Sequence, residues 1–217
     1  MINRRLTRLL LGVLLLNTLV LSAHAQALFQ EGTHYQRLPQ AHPAGSGERP
    51  EVVELFSYNC IHCFNFKPAV QEWLATKPDN VEFIRIPVTF GQRNMELMAR
   101  AYYAAQELGI EQEADTALYA AFHGQQRRRL TNEDQVADLF AELGVEREAF
   151  DRAFNSFAVE TKVRRANQLT QRYQIRGTPS VVINGQYLTT GSMAGGNPRM
   201  LEVANFLTRR YGAPATD

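Results

Sequence analysis

The two cysteines of this chain, Cys60 and Cys63, lie between a stretch that reads as a strand and one that reads as a helix. Residues 52–59 are mostly apolar and end in turn-forming residues, whereas residues 64–74 have a helical pattern. Cys60 is therefore predicted at a helix N-terminus, where unpaired backbone N–H groups and the helix dipole favour an anion. Because the thiolate is the attacking form of cysteine, this placement predicts a redox-active site.

Three structural alternatives for the cysteine pair are weaker. A disulfide across so short a loop removes little entropy from the unfolded chain. A zinc site needs three or four ligands, but the chain has no second cysteine pair, and His62 lies between the two thiols, where it could not readily join both on one metal. Two unrelated buried thiols would leave the strand–turn–helix context unexplained. We therefore expect a redox-active disulfide, with no metal and no other cofactor.

The first 25 residues have the pattern of a secretory signal peptide. A basic start with three arginines precedes an apolar stretch at 9–21, and Ala23 and Ala25 form an A-x-A cleavage pattern. This stretch is too short for a comfortable membrane span, with an uncleaved anchor as the alternative. We expect cleavage after Ala25, no membrane span afterwards, and export to an oxidising compartment.

The charge balance does not favour nucleic acid as a partner. Without residues 1–25 the chain loses three of its 23 Lys and Arg residues and none of its 22 Asp and Glu residues, so the formal charge becomes 20 minus 22, or −2. The short basic run at 127–129 is better explained as a solvated loop or helix end than as a binding patch. The remaining 192 residues, 26–217, fit one domain, or one domain with a large insertion.

Strand patterns lie at both ends of this part of the chain. Residues 51–57 and 81–88 flank the helix that begins near Cys60, which predicts a β-α-β unit with parallel strands. Asn184-Gly185 predicts a two-residue hairpin turn between strands at 180–183 and 186–188. A short edge strand is predicted at 35–38, and a last helix is predicted from Asn197 and Pro198 to Arg210.

The middle of the chain, residues 89–173, has helical spacing of its apolar residues and no good strand. It predicts helices at 93–108, at 111–122, from a cap at Thr131 or Asn132 to Leu143, at 146–155 and at 157–173. Its aromatic residues are predicted to form a core, without a cofactor role; they are Tyr102, Tyr103, Tyr119, Phe122, Phe140, Phe150, Phe154 and Phe157. An α/β domain at 26–88 and 174–217 is thus interrupted by a helical insertion at 89–173.

The order of these motifs resembles the thioredoxin fold. The shared features are a strand, Cys-x-x-Cys, a helix that contains a proline (Pro68), and a late Gly-Thr-Pro before a hairpin. The helical insertion, the export signal and the histidine before the second cysteine make the chain similar to the DsbA family of periplasmic thiol:disulfide interchange proteins. The resemblance covers essentially the whole chain after residue 25. It implies an α/β thioredoxin-like fold interrupted by an all-helical insertion domain.

The resemblance also implies roles for individual residues. Cys60 matches the exposed nucleophilic cysteine of the family, and Cys63 matches its more buried partner. His62 matches the histidine of the family's Cys-Pro-His-Cys motif. Glu54 matches a buried acid beneath the active site, and Pro179 matches the proline that is cis in this fold, opposite the disulfide.

Elementary physical chemistry agrees with two of these roles. Burying Glu54 in charged form is costly, so its pKa should be raised, and it can then move protons for Cys63. As an alternative, Glu54 points to water or pairs with a basic side chain. His62 can stabilise the Cys60 thiolate by a hydrogen bond or by charge. Its alternative is an exposed surface histidine without a role.

Two positions next to the cysteines depart from the family's best-known pattern. Ile61 replaces a proline, and Thr178 replaces a valine before Pro179. Both can tune the thiolate, so the strength of oxidation stays open. A cis bond before Pro179 would leave the Thr178 backbone free to pair with an extended substrate peptide, whereas an ordinary trans turn proline is the alternative.

The resemblance implies a periplasmic oxidase of a Gram-negative bacterium. We expect it to donate its disulfide to reduced exported proteins, to be reoxidised by a DsbB-type membrane partner, and to be a monomer. Isomerase or reductase activity is the nearest alternative, although residues 27–49 are too short for the dimerisation domain of the disulfide isomerases. A glutathione-linked enzyme of the same fold family and a non-catalytic peptide-binding module are further alternatives.

Overall fold

A computed structural model describes residues 28–125 and 127–212 and contains a five-stranded mixed sheet with helices on both faces. The sheet order is β1-β5-β4-β2-β3; only β2 and β3 pair in parallel, and the other neighbours are antiparallel. The β-α-β unit and the short edge strand are therefore confirmed. The predicted signal peptide, 1–25, lies outside the described residues. The strands are β1 (Gln36–Arg37), β2 (Glu51–Phe56), β3 (Glu82–Pro87), β4 (Ser180–Ile183) and β5 (Tyr187–Thr190).

Eight helices occur in the described part of the chain. Five of them follow one another between β3 and β4, close to the predicted positions; the domain boundaries themselves stay a prediction. One short helix, α7, was not expected from the sequence, and α8 begins just after Pro198 rather than at it. The helices are α1 (Ile61–Leu74), α2 (Arg93–Leu108), α3 (Glu111–His123), α4 (Glu133–Ala141), α5 (Arg147–Phe154), α6 (Phe157–Arg172), α7 (Gly191–Ala194) and α8 (Arg199–Tyr211).

Strand β2 is buried on both faces, which explains its nearly continuous apolar sequence. Val52 packs in a cluster with residues of α1 and α8, whereas Val53 and Leu55 pack in a second cluster with residues of α2 to α6. The side chains of β2 thus alternate between two helical layers. Glu54, in the middle of this strand, is buried as well.

Local capping signals place the helix ends of the middle segment. The Asn132 side chain accepts a hydrogen bond from Gln135 N at 3.0 Å, so Asn132 rather than Thr131 caps α4. The Ser156 hydroxyl oxygen accepts one from Val159 N at 3.1 Å and caps α6. Helix α4 ends at Ala141, before the predicted Leu143, because the chain turns there with i→i+3 bonds toward Gly144.

Most of the predicted aromatic core is confirmed, but Phe157 is not part of it. Phe157 is 76 % exposed, whereas Tyr102, Tyr119, Phe140 and Phe150 are almost fully buried. The reason lies in helical spacing: the buried face of α6 contains Val159, Val163, Ala166, Leu169 and Thr170. Phe157 is out of phase with this stripe and lies on the outer surface.

The hairpin between β4 and β5 is one residue longer than predicted. Ile183 and Tyr187 form its last registered pair, so three residues rather than two separate the strands. Asn184 and Gly185 both have positive φ angles, 53° and 61°, as their residue types suggested. A Cβ atom on Gly185 would overlap the backbone carbonyl of His42, so this position needs glycine for space as well as for conformation.

Candidate active site

Cys60 lies between the end of β2 and the start of α1, as predicted. After the turn at 57–59, the Cys60 N–H donates to the Ser57 carbonyl at 3.2 Å. The Cys60 carbonyl accepts hydrogen bonds from the N–H groups of Cys63 and Phe64, both at 3.1 Å, which are the first bonds of the helix. Cys60 is half-buried and Cys63 is fully buried, and both are free thiols. The accessible sulfur is therefore the one at the helix N-terminus.

Sheet topology brings Thr178 and Pro179 to Cys60 across more than a hundred residues of sequence. Strand β4 runs antiparallel to β2, and Leu55 near the end of β2 pairs with Ser180 at the start of β4. The Thr178 carbonyl accepts a hydrogen bond from Cys60 Sγ at 3.3 Å. The Thr178–Pro179 peptide bond is cis, as the resemblance implied, and Pro179 is buried.

The surroundings of Cys60 favour its thiolate. A hydrogen bond from the Cys63 thiol is the largest influence and lowers the pKa of Cys60 to about 5, against the opposing effect of burial. The Thr178 side chain and the backbone N–H groups of Cys63 and His62 act in the same direction. The Thr178 carbonyl can bond only the protonated sulfur, so it opposes this shift without reversing it. First-turn acidic side chains, which would repel the anion, do not occur in α1.

Cys63 behaves in the opposite way. Its hydrogen bond to Cys60 and its burial raise its pKa well above the ordinary value for a thiol. One proton is therefore shared unequally by the pair, with Cys63 as the thiol and Cys60 as the thiolate at neutral pH. This asymmetry gives the two sulfurs different chemical tasks.

His62 is exposed. It lines an open groove of about 660 Å³ next to Cys60, together with Arg176, Thr178, Pro179 and Met193. The contribution of His62 to the pKa of Cys60 comes through its backbone N–H. A role for the imidazole itself stays a prediction.

Glu54 is buried, with only 2 % of its surface exposed, and it contacts a basic residue. Its Oε2 accepts a hydrogen bond from Arg85 Nε at 2.9 Å. The parallel register of β2 and β3 places the two residues directly opposite each other. Burial raises the pKa of Glu54 and Arg85 lowers it, and the net direction is upward. Glu54 therefore has the raised pKa that was predicted, and it also forms the ion pair with a basic side chain that was the alternative.

Three charged residues around Glu54 were missed in the sequence. Asp115 of α3 contacts Arg85 Nη1 through Oδ1 and Lys67 Nζ through Oδ2, both at 2.7 Å. The Tyr58 hydroxyl also donates to Asp115 Oδ1, at 3.1 Å. A usable signal existed: Arg85 interrupts an apolar strand, and Asp115 lies among the buried residues of its helix.

A second histidine, His123, helps to fix the turn that precedes Cys60. Its Nε2 lies 2.8 Å from the Tyr58 carbonyl oxygen. A carbonyl can only accept, so Nε2 carries the hydrogen. The His123 ring stacks on Phe64, with ring centroids 5.2 Å apart, and so packs the end of α3 on the first turn of α1.

Neither a metal cluster nor a membrane helix is found in the described ranges. Within residues 28–125 and 127–212, His, Cys, Asp and Glu side chains form no group of three or more that could hold a metal ion. In the same ranges, every helix is too short or too polar to cross a membrane.

Comparison with known proteins agrees with this geometry. A family model described as a DSBA-like thioredoxin domain matches residues 51–208. The thiol:disulfide interchange protein DsbA of Azotobacter vinelandii is 32 % identical over 206 residues, which are 92 % of this chain and 95 % of that protein. The crystal structure of Pseudomonas aeruginosa DsbA has a TM-score of 0.78 at 31 % identity and covers 84 % of this chain and 94 % of its own.

A further similar structure is that of Proteus mirabilis DsbA with a non-covalently bound peptide PWATCDS. It has a TM-score of 0.72 at 27 % identity, with coverage of 83 % of this chain and 98 % of its own. Together these likenesses confirm the expected thioredoxin-like fold with a helical insertion.

Proposed function

Since this chain belongs to the family of DSBA-like thioredoxin domains and is a thiol:disulfide oxidoreductase, we propose that it works as an oxidase, donating the Cys60–Cys63 disulfide to reduced exported proteins. The observation that carries this proposal is the opposite displacement of the two cysteine pKa values. A thiolate stabilised at Cys60 makes Cys60 a good leaving group and favours the reduced form of the enzyme. A disulfide whose reduced form is stabilised is an oxidant. DsbA proteins are known to be strong oxidants because their reduced form is stabilised.

The oxidation proceeds by two thiol–disulfide exchanges. A substrate thiolate attacks Cys60 Sγ, the Cys60–Cys63 bond breaks, and its electron pair leaves on Cys63, which takes up a proton. A second substrate thiolate then attacks the substrate sulfur of the mixed disulfide and expels Cys60 as the thiolate. The substrate has lost two electrons and formed a disulfide, and the enzyme has gained both electrons.

Glu54 is proposed to exchange the proton of Cys63. A buried thiolate on Cys63 is unfavourable, so a proton donor close to it assists the first step. In reoxidation the same carboxylate removes the proton, so that Cys63 can attack the mixed disulfide with the reoxidising partner. The charges of Glu54 and Cys63 both act on the same side chain, Tyr119, which supports their proximity.

The groove next to Cys60 is the proposed binding site for an extended substrate peptide. The Thr178 backbone and Pro179 form its wall closest to the reactive sulfur. The peptide complex of the related Proteus mirabilis protein supports peptide binding as a property of such proteins. His62 also lines the groove and is proposed to contact the substrate or the thiolate.

We propose a periplasmic location in a Gram-negative bacterium, reoxidation by a DsbB-type membrane protein, and a monomeric state. The signal peptide pattern at 1–25 supports export, and relatives named DsbA support the other assignments. The redox-active disulfide is proposed to be the sole redox group, with no further cofactor.

The decisive experiment measures the equilibrium of the Cys60–Cys63 pair with glutathione. An oxidase is expected to oxidise glutathione strongly and to be more stable to heat when reduced than when oxidised. A pair that stays oxidised in excess glutathione, or an oxidised form with the higher melting temperature, would contradict the proposal and favour an isomerase or reductase. Activity that survives Cys63→Ser would indicate a glutathione-linked enzyme, and activity that survives loss of both thiols a peptide-binding module.

A further inference from the structure

Asp115 is a buried carboxylate for which the proposed reaction so far has no use. It is 6 % exposed and lies in the middle of α3, next to Ala114 and one turn before Leu118 and Tyr119, all of which are buried. Its oxygens contact Arg85, Lys67 and the Tyr58 hydroxyl. A charged group that is buried this thoroughly is costly unless each oxygen is compensated, as both oxygens are here.

The guanidinium of Arg85 is divided between two carboxylates. Its Nε bonds Glu54 at 2.9 Å and its Nη1 bonds Asp115 at 2.7 Å. An arginine commonly binds one carboxylate through two parallel N–H groups, which would hold that carboxylate firmly ionised. With Nη1 on Asp115, the ion pair recorded for Glu54 consists of the Nε contact alone.

The second cation of the cluster also goes to Asp115. Lys67 Nζ contacts Asp115 Oδ2 and lies on α1, one turn after Cys63. Burial alone would raise the pKa of Asp115, but the charges of Arg85 and Lys67 outweigh it and lower that pKa. For Glu54, burial dominates and raises the pKa, and the negative charge of Asp115 raises it further. The pKa of Asp115 is thus lowered and the pKa of the neighbouring Glu54 is raised, a pattern typical of acid–base sites.

We infer that Asp115 is a positioning residue that keeps Arg85 and Lys67 engaged, so that Glu54 stays able to accept and release the proton of Cys63. This inference rests on the proposed function only in naming Cys63 as the proton's destination. The proton step is balanced: a protonated Glu54 and a Cys63 thiolate become a Glu54 carboxylate and a Cys63 thiol, and reoxidation reverses it.

Two features around Glu54 bear on its proton exchange with Cys63. The Tyr119 hydroxyl is buried and makes no hydrogen bond to any group in residues 28–125 and 127–212, and both Glu54 and Cys63 act on it electrostatically. On the other side, an open cleft of about 490 Å³ lined by Glu54, Arg85 and Asp115 connects the cluster to solvent. The titratable groups of the elements packed around Glu54 are Arg85 of β3, Cys63 and Lys67 of α1, Asp115, Tyr119 and Glu111 of α3, Tyr102 of α2, and Tyr58.

The test follows the protonation of Glu54 directly in the oxidised full chain, where neither thiol titrates. The infrared C=O stretch of the protonated carboxyl is recorded against pH and identified by its loss in Glu54→Gln. In Asp115→Asn, removal of the negative charge is expected to lower the midpoint of this titration by about one pH unit, the low end for a charge a few ångströms away. The pH profile of reoxidation of the reduced protein, which requires loss of the Cys63 proton, is expected to change with it.

Two further variants separate charge from structure. Tyr58→Phe removes a hydrogen bond to Asp115 but leaves its charge, so the midpoint is expected to stay unchanged. Lys67→Gln changes a partly exposed residue and is expected to raise the midpoint, which keeps the test valid if Asp115→Asn does not fold. Unchanged midpoints in both charge variants, or an equal shift in Tyr58→Phe, would overturn the inference.

The proposed function can fail separately. If Glu54→Gln leaves the pH profile of reoxidation as it is in the unaltered protein, Glu54 has no part in moving the proton. The infrared midpoints would then still decide whether Asp115 controls the ionisation of Glu54.

Discussion

Replacing Thr178 with valine is expected to raise the pKa of Cys60 and to weaken the oxidant. Valine has nearly the shape of threonine but lacks the hydroxyl that favours the Cys60 thiolate. Hydrogen bonding to a charged group contributes about 1.5–3 kcal/mol, and the half-exposed position of Cys60 places the influence of the Thr178 hydroxyl at the lower end. Since one pKa unit corresponds to about 1.4 kcal/mol, we expect the pKa of Cys60 to rise by about one unit from its value of about 5.

The assay measures the alkylation rate of the reduced protein against pH, whose midpoint reports the Cys60 thiolate. The same stabilisation enters the equilibrium with glutathione, so the variant is expected to be about tenfold less oxidising. Both changes have one cause, the loss of the Thr178 hydroxyl, and must occur together.

A matched control lies two residues away. The Ser180 hydroxyl donates to the Gly177 carbonyl at 2.8 Å and braces the same loop without acting on Cys60. Ser180→Ala is therefore expected to leave the alkylation midpoint unchanged. An unchanged midpoint in Thr178→Val, or an equal shift in Ser180→Ala, would refute the reasoning that the hydroxyl acts on the sulfur directly.

Three other predictions concern stability. The pKa of Cys60 is about 5 in the folded reduced protein and 9.0 for an ordinary thiol, so the thiolate stabilises the reduced form fully above pH 9, and this contribution is lost as the pH falls through 5. Because the oxidised form lacks the thiol, the difference in melting temperature between the two forms should widen from pH 5 to pH 8. A constant difference would contradict stabilisation by the thiolate. Gly185→Ala should lower the free energy of unfolding, measured with urea, by about 3 kcal/mol, because it combines a positive φ with overlap on His42. Gly144→Ala has a positive φ but open space around it and should lower that free energy by about 1 kcal/mol. Equal losses in the two variants would contradict the role of the overlap. Ser156→Ala removes the cap of α6 and should cost about 1 kcal/mol by the same measurement, while no loss would mean that solvent replaces the cap.

Local patterns were sufficient to predict the ends of most elements and the position of the reactive cysteine. A strand pattern that meets a helix pattern within a few residues leaves little choice about where Cys60 lies, and the Asn132 cap depends only on nearby residues. The wrong prediction for Phe157 has an equally local cause, its position around the axis of α6. Phe157 has the right residue type for a core position, but its phase relative to the buried stripe of α6 decides its exposure.

The candidate site shows the same division. Cys60, Cys63 and Glu54 could be named from their places in one strand–turn–helix unit. Their distant partners could not, because Thr178 reaches Cys60 only through the register of β2 against β4, and Arg85 reaches Glu54 only through that of β2 against β3. Asp115 joins them through the packing of α3.

The amino-acid sequence by itself thus determined which sulfur lies at a helix N-terminus, since helix periodicity and turn chemistry act over a few residues. Only the tertiary structure decided which distant groups surround the two sulfurs and Glu54. These groups lie 30 to more than 100 residues apart in the chain, so their hydrogen bonds and charge interactions act only after folding has brought them together.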